Sequence, residues 1–504
     1  MANVKINIGA NLIGNAWHTL VSLLFVPFYI KFMGVEAYGL VGIFVTLQIM
    51  AGALDMGFGG TMNREMARRS TLPDEGPEMR NLVRSMEIIY WNIALLIGVI
   101  IVLISPFIAQ YWIKGQNLSV QTITQAILIM GLAISLQWPA SLYYNGLIGL
   151  QKHVLINAVN VCTTTVRGVG AICVLWLISP TIQAFFLWQI FMSSVFTFIL
   201  AFILWRCLPL GEKKPVFQMR LIRSIGRFAA GIASVTILSI ILTQLDKIIL
   251  SKMLSLESFG YYTLAALVGL TPLRVALPVF SGVYPKFTQL VSLDDYNNLR
   301  ELYHKACQLM AVLILPLAIV FAIFSYELIL LWTQNSLIAE RTHILASILI
   351  CGTAFHSLLL APHALQLAFG WTRLLFFKYL VSVIAIIPLI IYMTKFYGAI
   401  GAAFVWGFLN AATVLIEIPV MHKRLLPGNA WKWYLQDAFI PLVAALFVAG
   451  VGRFLMPSGL SQLVIVVYLL FVSVATISVT ALVTPTTRVW LLTQLFKTKE
   501  ALGK

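Results

Sequence analysis

The sequence contains little charge. Only 10% of its 504 residues are Asp, Glu, Lys or Arg, whereas 60% are hydrophobic and the mean hydropathy is +0.92. Soluble domains carry about 25% charged residues on average, so this composition excludes a soluble globular protein. It predicts instead that the chain lies in a lipid bilayer.

Cysteine motifs, nucleotide-binding loops and long polar segments are also missing. The five cysteines form no C-x-x-C pair, so their spacing indicates neither a disulfide framework nor a metal site. No GxxxxGK[ST] string is present, which argues against ATP hydrolysis by this chain. No segment between apolar stretches is long enough for a soluble catalytic domain. We therefore expect no catalytic residue, no cofactor and no metal site.

Apolar stretches of about twenty residues, each long enough to cross a bilayer, recur along the whole chain. We count about fourteen, near residues 8–31, 38–62, 85–112, 121–147, 155–178, 182–205, 226–251, 257–283, 303–331, 342–367, 374–395, 398–421, 435–455 and 461–484. In lipid the backbone must satisfy its own hydrogen bonds, and runs of this length do so as helices. The predicted fold is an all-α polytopic membrane protein.

Parts of the sequence occur twice in the same order. Lys31–Gly39 is similar to Lys252–Gly260, with Lys, Glu and Gly at matching positions. Asn145–Lys152 likewise matches Gln366–Arg373. A repeat of this kind in a membrane protein is typical of a transporter built from two similar bundles with a substrate path between them.

The number of predicted spans sets the symmetry of the repeat. Six spans precede the basic linker at 206–227 and six follow it, so both bundles have the same orientation and form a parallel repeat around a central cavity. The predicted domains are an N-terminal bundle over 1–210 and a C-terminal bundle over 211–424. Residues 425–504 then hold two accessory helices and a cytoplasmic tail.

Lys and Arg predict the orientation of the chain in the membrane. With the N-terminus inside, most of the 34 cationic residues fall in cytoplasmic loops, including two clusters near 64–84 and 206–227. Both termini are then cytoplasmic. The net charge of +16 is accounted for by contacts with anionic membrane lipids, so we expect no nucleic-acid partner.

Two arginines fall inside predicted spans. Arg167 lies near the middle of the fifth span beside threonines, and Arg274 lies in the eighth span between Pro272 and Pro278. An unpaired charge at mid-membrane costs roughly 2.5–3.5 kcal/mol, so such residues indicate function unless a structural ion pair explains them. Because guanidinium matches phosphate oxygens, we predict that both arginines bind an anion.

Four other charged residues are candidates for ion coupling or gating. Asp55 lies in a glycine-rich segment toward the inner end of the second span, and Arg64 follows nine residues later. Asp55 could carry a coupling proton, close an inner gate with a basic residue, or form a static pair. Asp246 and Lys247 lie near the outer end of the seventh span, where interfacial anchoring of Lys247 is the alternative.

The first span carries a polar stripe of Asn7, Asn11, Asn15 and His18, spaced to share one face of a helix. We expect this stripe to face a cavity or a partner helix, with Asn11, Asn15 and His18 contacting substrate. Other polar residues rank lower as site candidates. His356 and His363 are expected to be packed and neutral. Three charged residues near the ends of predicted helices also rank lower, namely Glu87, Lys378 and Glu417.

The chain resembles the polysaccharide-transporter branch of the multidrug/oligosaccharidyl-lipid/polysaccharide exporter superfamily. The resemblance rests on the order of Met33–Gly39, Leu54–Gly57, Leu245–Ile249, Ala364–Gly370 and Tyr397–Ala403, and covers residues 1 to about 424. The chain is also similar to the related lipid II flippases, in which Arg274 would have a counterpart. The arginines of their first helix are absent here, where Asn11, Asn15 and His18 stand instead.

The resemblance implies a flippase that moves an undecaprenyl-diphosphate-linked oligosaccharide across a bacterial inner membrane by alternating access. It implies a coupling cation, either proton or sodium, and a glycan polymerase as a further partner. The alternative within the superfamily is a cation-coupled multidrug antiporter. Such an antiporter should carry buried carboxylates, whereas the clearest charges within the spans of this chain are arginines. A membrane-bound glycan polymerase is the alternative from a different class, although the chain lacks the large outer loop expected for catalysis.

Overall fold

The fold of this chain was obtained as a computed structural model. It describes residue 14 and residues 16–55, 57–72, 75–209 and 214–489, with the side chains of 223–236 set aside. The described residues are nearly all helical, and an isolated β-bridge joins Lys114 to Ser255. Contacts divide the chain into two compact units, Met1–Gly260 and Tyr261–Lys504. The division predicted from the repeat, at residue 210, remains a prediction.

The first unit contains eight of the described helices and the beginning of a ninth. They are α1 Val26–Ala53, α2 Phe58–Arg69, α3 Gly76–Phe107, α4 Val120–Gln137, α5 Ala140–Gly149, α6 His153–Leu177, α7 Ile182–Cys207, α8 Met219–Met253 and α9 Leu256–Gly269. A π-helical turn, Ile108–Trp112, extends α3. In this unit α4 packs between α3 and α7, and α1 packs on α8.

The second unit begins within α9, at Tyr261. Its helices are α10 Thr271–Ser292, α11 Tyr296–Ile323, α12 Ser325–Thr333, α13 Ser336–Leu358, α14 Leu360–Ala368, α15 Thr372–Leu425, α16 Ala430–Lys432, α17 Ile440–Phe454 and α18 Gln462–Val483. A π-helical segment, Trp433–Phe439, joins α16 to α17. Helix α11 lies at the centre of this unit, where it contacts α10, α13, α17 and α18.

Apolar surface indicates which helices face lipid. Phe447 and Phe454 of α17 and Phe471 of α18 are 70%, 89% and 71% exposed, whereas the core side chains of α11 are buried. Such extensive exposed apolar surface would aggregate in water and is stable only against lipid or another protein. Among the described residues, 11 helices are long and apolar enough to cross a membrane. The count of fourteen and the parallel repeat stay predictions.

Several predicted spans contain breaks that hydrophobicity does not reveal. The predicted span at 38–62 was wrong as one helix, because α1 ends at Ala53 and α2 begins at Phe58. Gly57 has a φ of 79°, a left-handed conformation that glycine adopts without a steric penalty, and it ends the run. Gly34 and Gly398 have non-helical backbone conformations, so each divides its range, α1 or α15, into two helical parts, in agreement with the separate spans predicted on either side.

Candidate functional site

A polar cavity of 300 Å³ lies in the first unit, and we call it the Arg167 cavity. Amides, hydroxyls and one guanidinium provide most of its wall. The lining residues are His18, Gln137, Tyr144, Asn160, Thr163, Thr164, Arg167 and Phe196. The cavity therefore brings together two of the residues predicted from sequence, His18 and Arg167.

Arg167 is held in this cavity by neutral groups. Its Nη1 donates to Oε1 of Gln137 at 3.4 Å, and its backbone carbonyl accepts from Nε1 of Trp188 at 2.9 Å. Within the described ranges, no carboxylate lies within 4.0 Å of the guanidinium. The structural ion pair considered as the alternative for Arg167 is therefore not formed among these residues, and a cation faces a polar cavity instead.

Gln137 has a central position that the sequence did not indicate. Its Oε1 accepts from Nε2 of Gln48 at 2.9 Å, from Oγ of Ser193 at 3.0 Å, and from Arg167. These contacts connect α1, α4, α6 and α7. Because one acceptor binds three donors, the orientation of Gln137 is fixed, and Gln137 in turn positions the guanidinium.

A second cavity, of 430 Å³, adjoins the first, and we call it the Asp55 cavity. The two cavities share Gln137, Tyr144 and Phe196 in their walls. The remaining lining residues are Gln48, Ile49, Ala51, Gly52, Asp55, Ile134, Trp138, Ala140 and Ser141. The first unit thus presents a guanidinium in one cavity and a carboxylate in its neighbour.

Asp55 lies in the break between α1 and α2, where its carboxylate binds neutral donors. Oδ2 accepts from the backbone N of Gly59 at 2.9 Å, near the N-terminus of α2. Oδ1 accepts from the hydroxyls of Tyr90 and Ser141. In the part of the chain that the structure describes, no basic group pairs with Asp55, and Arg64 lies on the exposed side of α2. The three roles considered for Asp55, and the coupling or gating role of Arg64, stay predictions.

The remaining predicted residues lie elsewhere. Asp246 of α8 is buried, with its Oδ1 3.6 Å from Nζ of the adjacent Lys247, which also donates to the carbonyl of Thr243. Arg274 is half-buried in the first turn of α10, in the second unit. Asn11 and Asn15 lie outside the described residues. Over the described ranges, no group of three or more His, Cys, Asp or Glu side chains could hold a metal ion.

A buried ionisable cluster in the second unit was ranked low from sequence. Glu417 and Lys378, both of α15, meet His363 of α14. Their positions near the ends of predicted spans suggested an interfacial location. The sequence does contain one indication of this cluster, namely a lysine in one predicted span and a glutamate in the next. Two such charges near the same membrane face can pair across helices.

The sequence matches a family model and two curated proteins. The model for polysaccharide biosynthesis proteins matches residues 4–291. A putative O-antigen transporter of Shigella flexneri is 22% identical over 399 residues, which are 79% of this chain and 92% of that protein. The lipopolysaccharide biosynthesis protein WzxC of Escherichia coli strain K12 is 22% identical over 226 residues, 44% of each.

Solved structures show the same fold at lower identity. The lipid II flippase MurJ in an inward closed conformation has a TM-score of 0.67 at 15% identity, covering 94% of this chain and 98% of MurJ. An inward-facing multidrug resistance transporter of the MATE family, in the MOP superfamily, has a TM-score of 0.66 at 13% identity, covering 82% and 96%. At these identities the likeness establishes a shared transporter fold.

Proposed function

Because the chain belongs to the polysaccharide biosynthesis protein family, we propose that it is a flippase for a lipid-linked oligosaccharide. The substrate is an undecaprenyl-diphosphate-linked repeat unit of O-antigen or exopolysaccharide. It moves from the inner to the outer leaflet of the bacterial inner membrane by alternating access. The coupling energy comes from a proton or sodium gradient, and both termini are cytoplasmic. A glycan polymerase would receive the product on the outer side.

Arg167 is the observation that carries the proposal. A guanidinium that lies in a membrane-spanning helix, without a described carboxylate partner, needs an anion to offset the cost of its burial. The diphosphate of the proposed substrate supplies oxygens in the geometry that guanidinium binds in a bidentate manner. Gln137 fixes the guanidinium before the substrate arrives, so less conformational entropy is lost on binding.

The rest of the Arg167 cavity suits a sugar next to a phosphate. Asn160, Thr163 and Thr164 offer amide and hydroxyl groups, and Tyr144 and Phe196 offer aromatic surface. Sugars present hydroxyls at their edges and C–H groups on their faces, so a wall of this mixture can bind both. The prenyl chain stays in the surrounding lipid, so the protein does not need to bind it.

Direct binding tests this assignment. Purified protein in nanodiscs is titrated with an undecaprenyl-diphosphate oligosaccharide, and we expect saturable binding to the wild type. Arg167→Ala should weaken it by about tenfold or more, since hydrogen bonds to charged groups contribute about 1.5–3 kcal/mol each. Arg167→Lys should recover part of the loss, because lysine keeps the charge without the bidentate geometry.

Arg206 provides the matched control. It is exposed at the end of α7 over the ring of Phe202, away from both cavities, so Arg206→Ala should bind like the wild type. Equal affinity of wild type and Arg167→Ala would remove Arg167 from the site. Arg274→Ala is measured in parallel, because the same phosphate role is proposed for Arg274.

The Asp55 cavity favours one alternative, a cation-coupled multidrug antiporter. A carboxylate beside Trp138, Tyr144 and Phe196 could attract an aromatic cation. A cationic dye is therefore titrated into the same nanodiscs. Dye binding that is lost in Asp55→Asn and unaffected in Arg167→Ala, together with absent binding of the diphosphate lipid, would select the antiporter instead.

A further inference from the structure

Three ionisable side chains meet inside the second unit, and we call them the Glu417 triad: Glu417, His363 and Lys378. His363 and Glu417 are 5% and 4% exposed, and the side chain of Lys378 is 13% exposed. Lys378 and Glu417 lie in the two parts of α15 that are separated by the non-helical Gly398. The triad therefore connects α14 with both parts of α15.

The polar atoms of the triad form a closed triangle. Nζ of Lys378 lies 2.8 Å from Nε2 of His363 and 3.2 Å from Oε2 of Glu417. The same Nε2 lies 3.1 Å from Oε1 and 3.3 Å from Oε2 of Glu417. Each pair of groups is thus within the range of a hydrogen bond or ion pair.

No single arrangement of protons satisfies all three edges of this triangle. A neutral histidine nitrogen either carries one hydrogen or offers one lone pair. If Nε2 accepts from the Lys378 ammonium, it carries no hydrogen and cannot donate to Glu417. If Nε2 carries a hydrogen and donates to Glu417, it faces the ammonium as a second donor. The preferred partner of His363 therefore depends on its protonation.

The neighbouring Gln366 orients the carboxylate of the triad. Its Nε2 donates to Oε1 of Glu417 at 2.6 Å, which fixes the carboxylate. Its Oε1 is fully buried and has no hydrogen-bond donor among the described residues. A lysine–glutamate pair would be complete without a histidine, so the contacts of His363 with both charges are the feature that a simple ion pair leaves unexplained.

Other titratable groups surround the triad. His356 of α13 lies with its ring 6.3 Å from that of His363, and Tyr303 of α11 is close enough to interact with the charge of Glu417. His356 and Lys378 are half-buried, so they lie on the less buried side of the cluster. Further titratable groups on the packed helices include Arg274, Tyr284 and Lys286 of α10, His304 of α11, and Tyr379 and His422 of α15, with Asp437 beyond α15.

We propose that the Glu417 triad is a proton-exchange site that couples the second unit to the proton gradient. In the unloaded state the Lys378 ammonium donates to Nε2 of His363 and to Glu417, and the triad has no net charge. A proton taken from water onto Nε2 gives imidazolium, whose N–H donates to Glu417, and the net charge becomes +1. Release reverses both changes. The coupling role rests on the proposed flippase function, whereas the exchange of a proton does not.

Proton exchange can be measured without any glycan. The protein is labelled with ¹⁵N-histidine in nanodiscs, and imidazole signals are followed between about pH 5 and 9, the range around the ordinary histidine titration. The signal assigned by its absence in His363→Gln should titrate, and Glu417→Gln should change its midpoint. A His363 signal that stays constant over this range overturns the proposal.

Transport in proteoliposomes then tests the coupling. His363→Gln and the double variant Lys378→Met/Glu417→Gln should bind the lipid-linked glycan with wild-type affinity and lose the response of transport to an imposed pH gradient. The double variant removes both charges, so it avoids leaving one buried charge unpaired. The control is His343→Gln, at a histidine of α13 whose Nδ1 contacts the backbone carbonyls of Ala339 and Glu340 and whose ring packs on Tyr326, and this variant should keep the response.

The outcomes separate the two proposals. A double variant that keeps the gradient response would make the triad a structural ion pair and overturn the coupling role. Absence of glycan binding in the wild type would reject the flippase function, while the titration of His363 would still decide whether the triad exchanges protons.

Discussion

Gln137 is the uncharged residue on which the position of the key cation depends. Its single side-chain oxygen accepts from Gln48, Ser193 and Arg167, which come from three different helices. A carbonyl oxygen has two lone pairs, so these three contacts share a crowded acceptor, and a modest change at Gln137 should release the guanidinium. Substrate affinity should therefore respond to Gln137 although it bears no charge.

Gln137→Leu should weaken binding of the diphosphate lipid by about tenfold, corresponding to roughly 1.4 kcal/mol. Leucine keeps the volume but removes the acceptor, so Arg167 loses its described hydrogen-bond partner. Titration in nanodiscs measures the change, and thermal unfolding checks that the variant folds. Gln125→Leu, at an exposed Gln–Gln contact of α4, should leave affinity unchanged. Wild-type affinity in Gln137→Leu would show that Arg167 needs no positioning residue.

Glu36 is a second residue whose contacts make a sharp prediction. Its buried carboxylate accepts from the backbone N atoms of Gln116, Asn117 and Leu118, at distances from 2.6 to 3.4 Å. Glu36→Ala should lower the free energy of unfolding by about 1–3 kcal/mol, because three backbone donors lose their acceptor. Thermal unfolding in detergent measures it, with Glu340→Ala at an exposed site as the control. Equal stability of the two variants would contradict this account.

From the sequence, a residue could be singled out where its side chain is unusual in its context. Arg167 stands out because a charge in an apolar span is rare, and His18 because it belongs to a polar stripe; the structure places both in one cavity. Gln137 could not, since glutamine in a span is unremarkable until its tertiary partners are known. The burial of Lys378 and Glu417 could not be predicted, because distance from the end of a predicted span does not report burial against other helices.

At the level of elements, the junction between α11 and the C-terminal helices depends on one carboxylate. Asp437, in the π-helical segment, is 1% exposed and contacts Nδ1 of His304 at 2.5 Å and Nε2 of Gln308 at 2.8 Å. Nε2 of the same histidine contacts Oδ1 of Asn429 at 3.1 Å. Buried polar groups at a helix junction must pair with one another, and here they fix how α16 and α17 pack on α11.

Asp437→Ala should therefore destabilise the protein by about 3–5 kcal/mol, as expected when one partner of a buried pair is removed. Asp437→Asn keeps the shape and one acceptor, so the loss should be smaller. Thermal unfolding of both variants in detergent provides the comparison. Equal losses for alanine and asparagine would show that the retained shape and single acceptor contribute nothing, and would contradict the smaller loss expected for asparagine.

Helices were easier to predict than their breaks. Apolar runs identified helical segments because the lipid environment requires internal backbone hydrogen bonds. The end of α1 at Ala53, however, depends on the left-handed Gly57 and on the capping of α2 by Asp55. Neither changes hydrophobicity, so a hydropathy reading continues through the break.

For the whole molecule, the distribution of Lys and Arg predicts that both termini are cytoplasmic. Green fluorescent protein fused after Lys504 should fluoresce, and alkaline phosphatase fused at the same position should be inactive, because each reporter works on one side of the inner membrane. A phosphatase fusion in the predicted outer loop at 113–119 serves as the positive control. An active phosphatase at the C-terminus would require an odd number of spans or an inverted orientation.

The central claim is that this chain flips a diphosphate-linked glycan that binds at Arg167. The most direct test is translocation in proteoliposomes, with the lipid-linked oligosaccharide placed in one leaflet and its arrival in the other detected by an added glycosidase. We predict transfer by the wild type and by Arg206→Ala, none above protein-free vesicles by Arg167→Ala, and partial transfer by Arg167→Lys. Undiminished transfer by a folded Arg167→Ala variant would contradict the claim. So would the absence of transfer by the wild type under both a pH gradient and a sodium gradient.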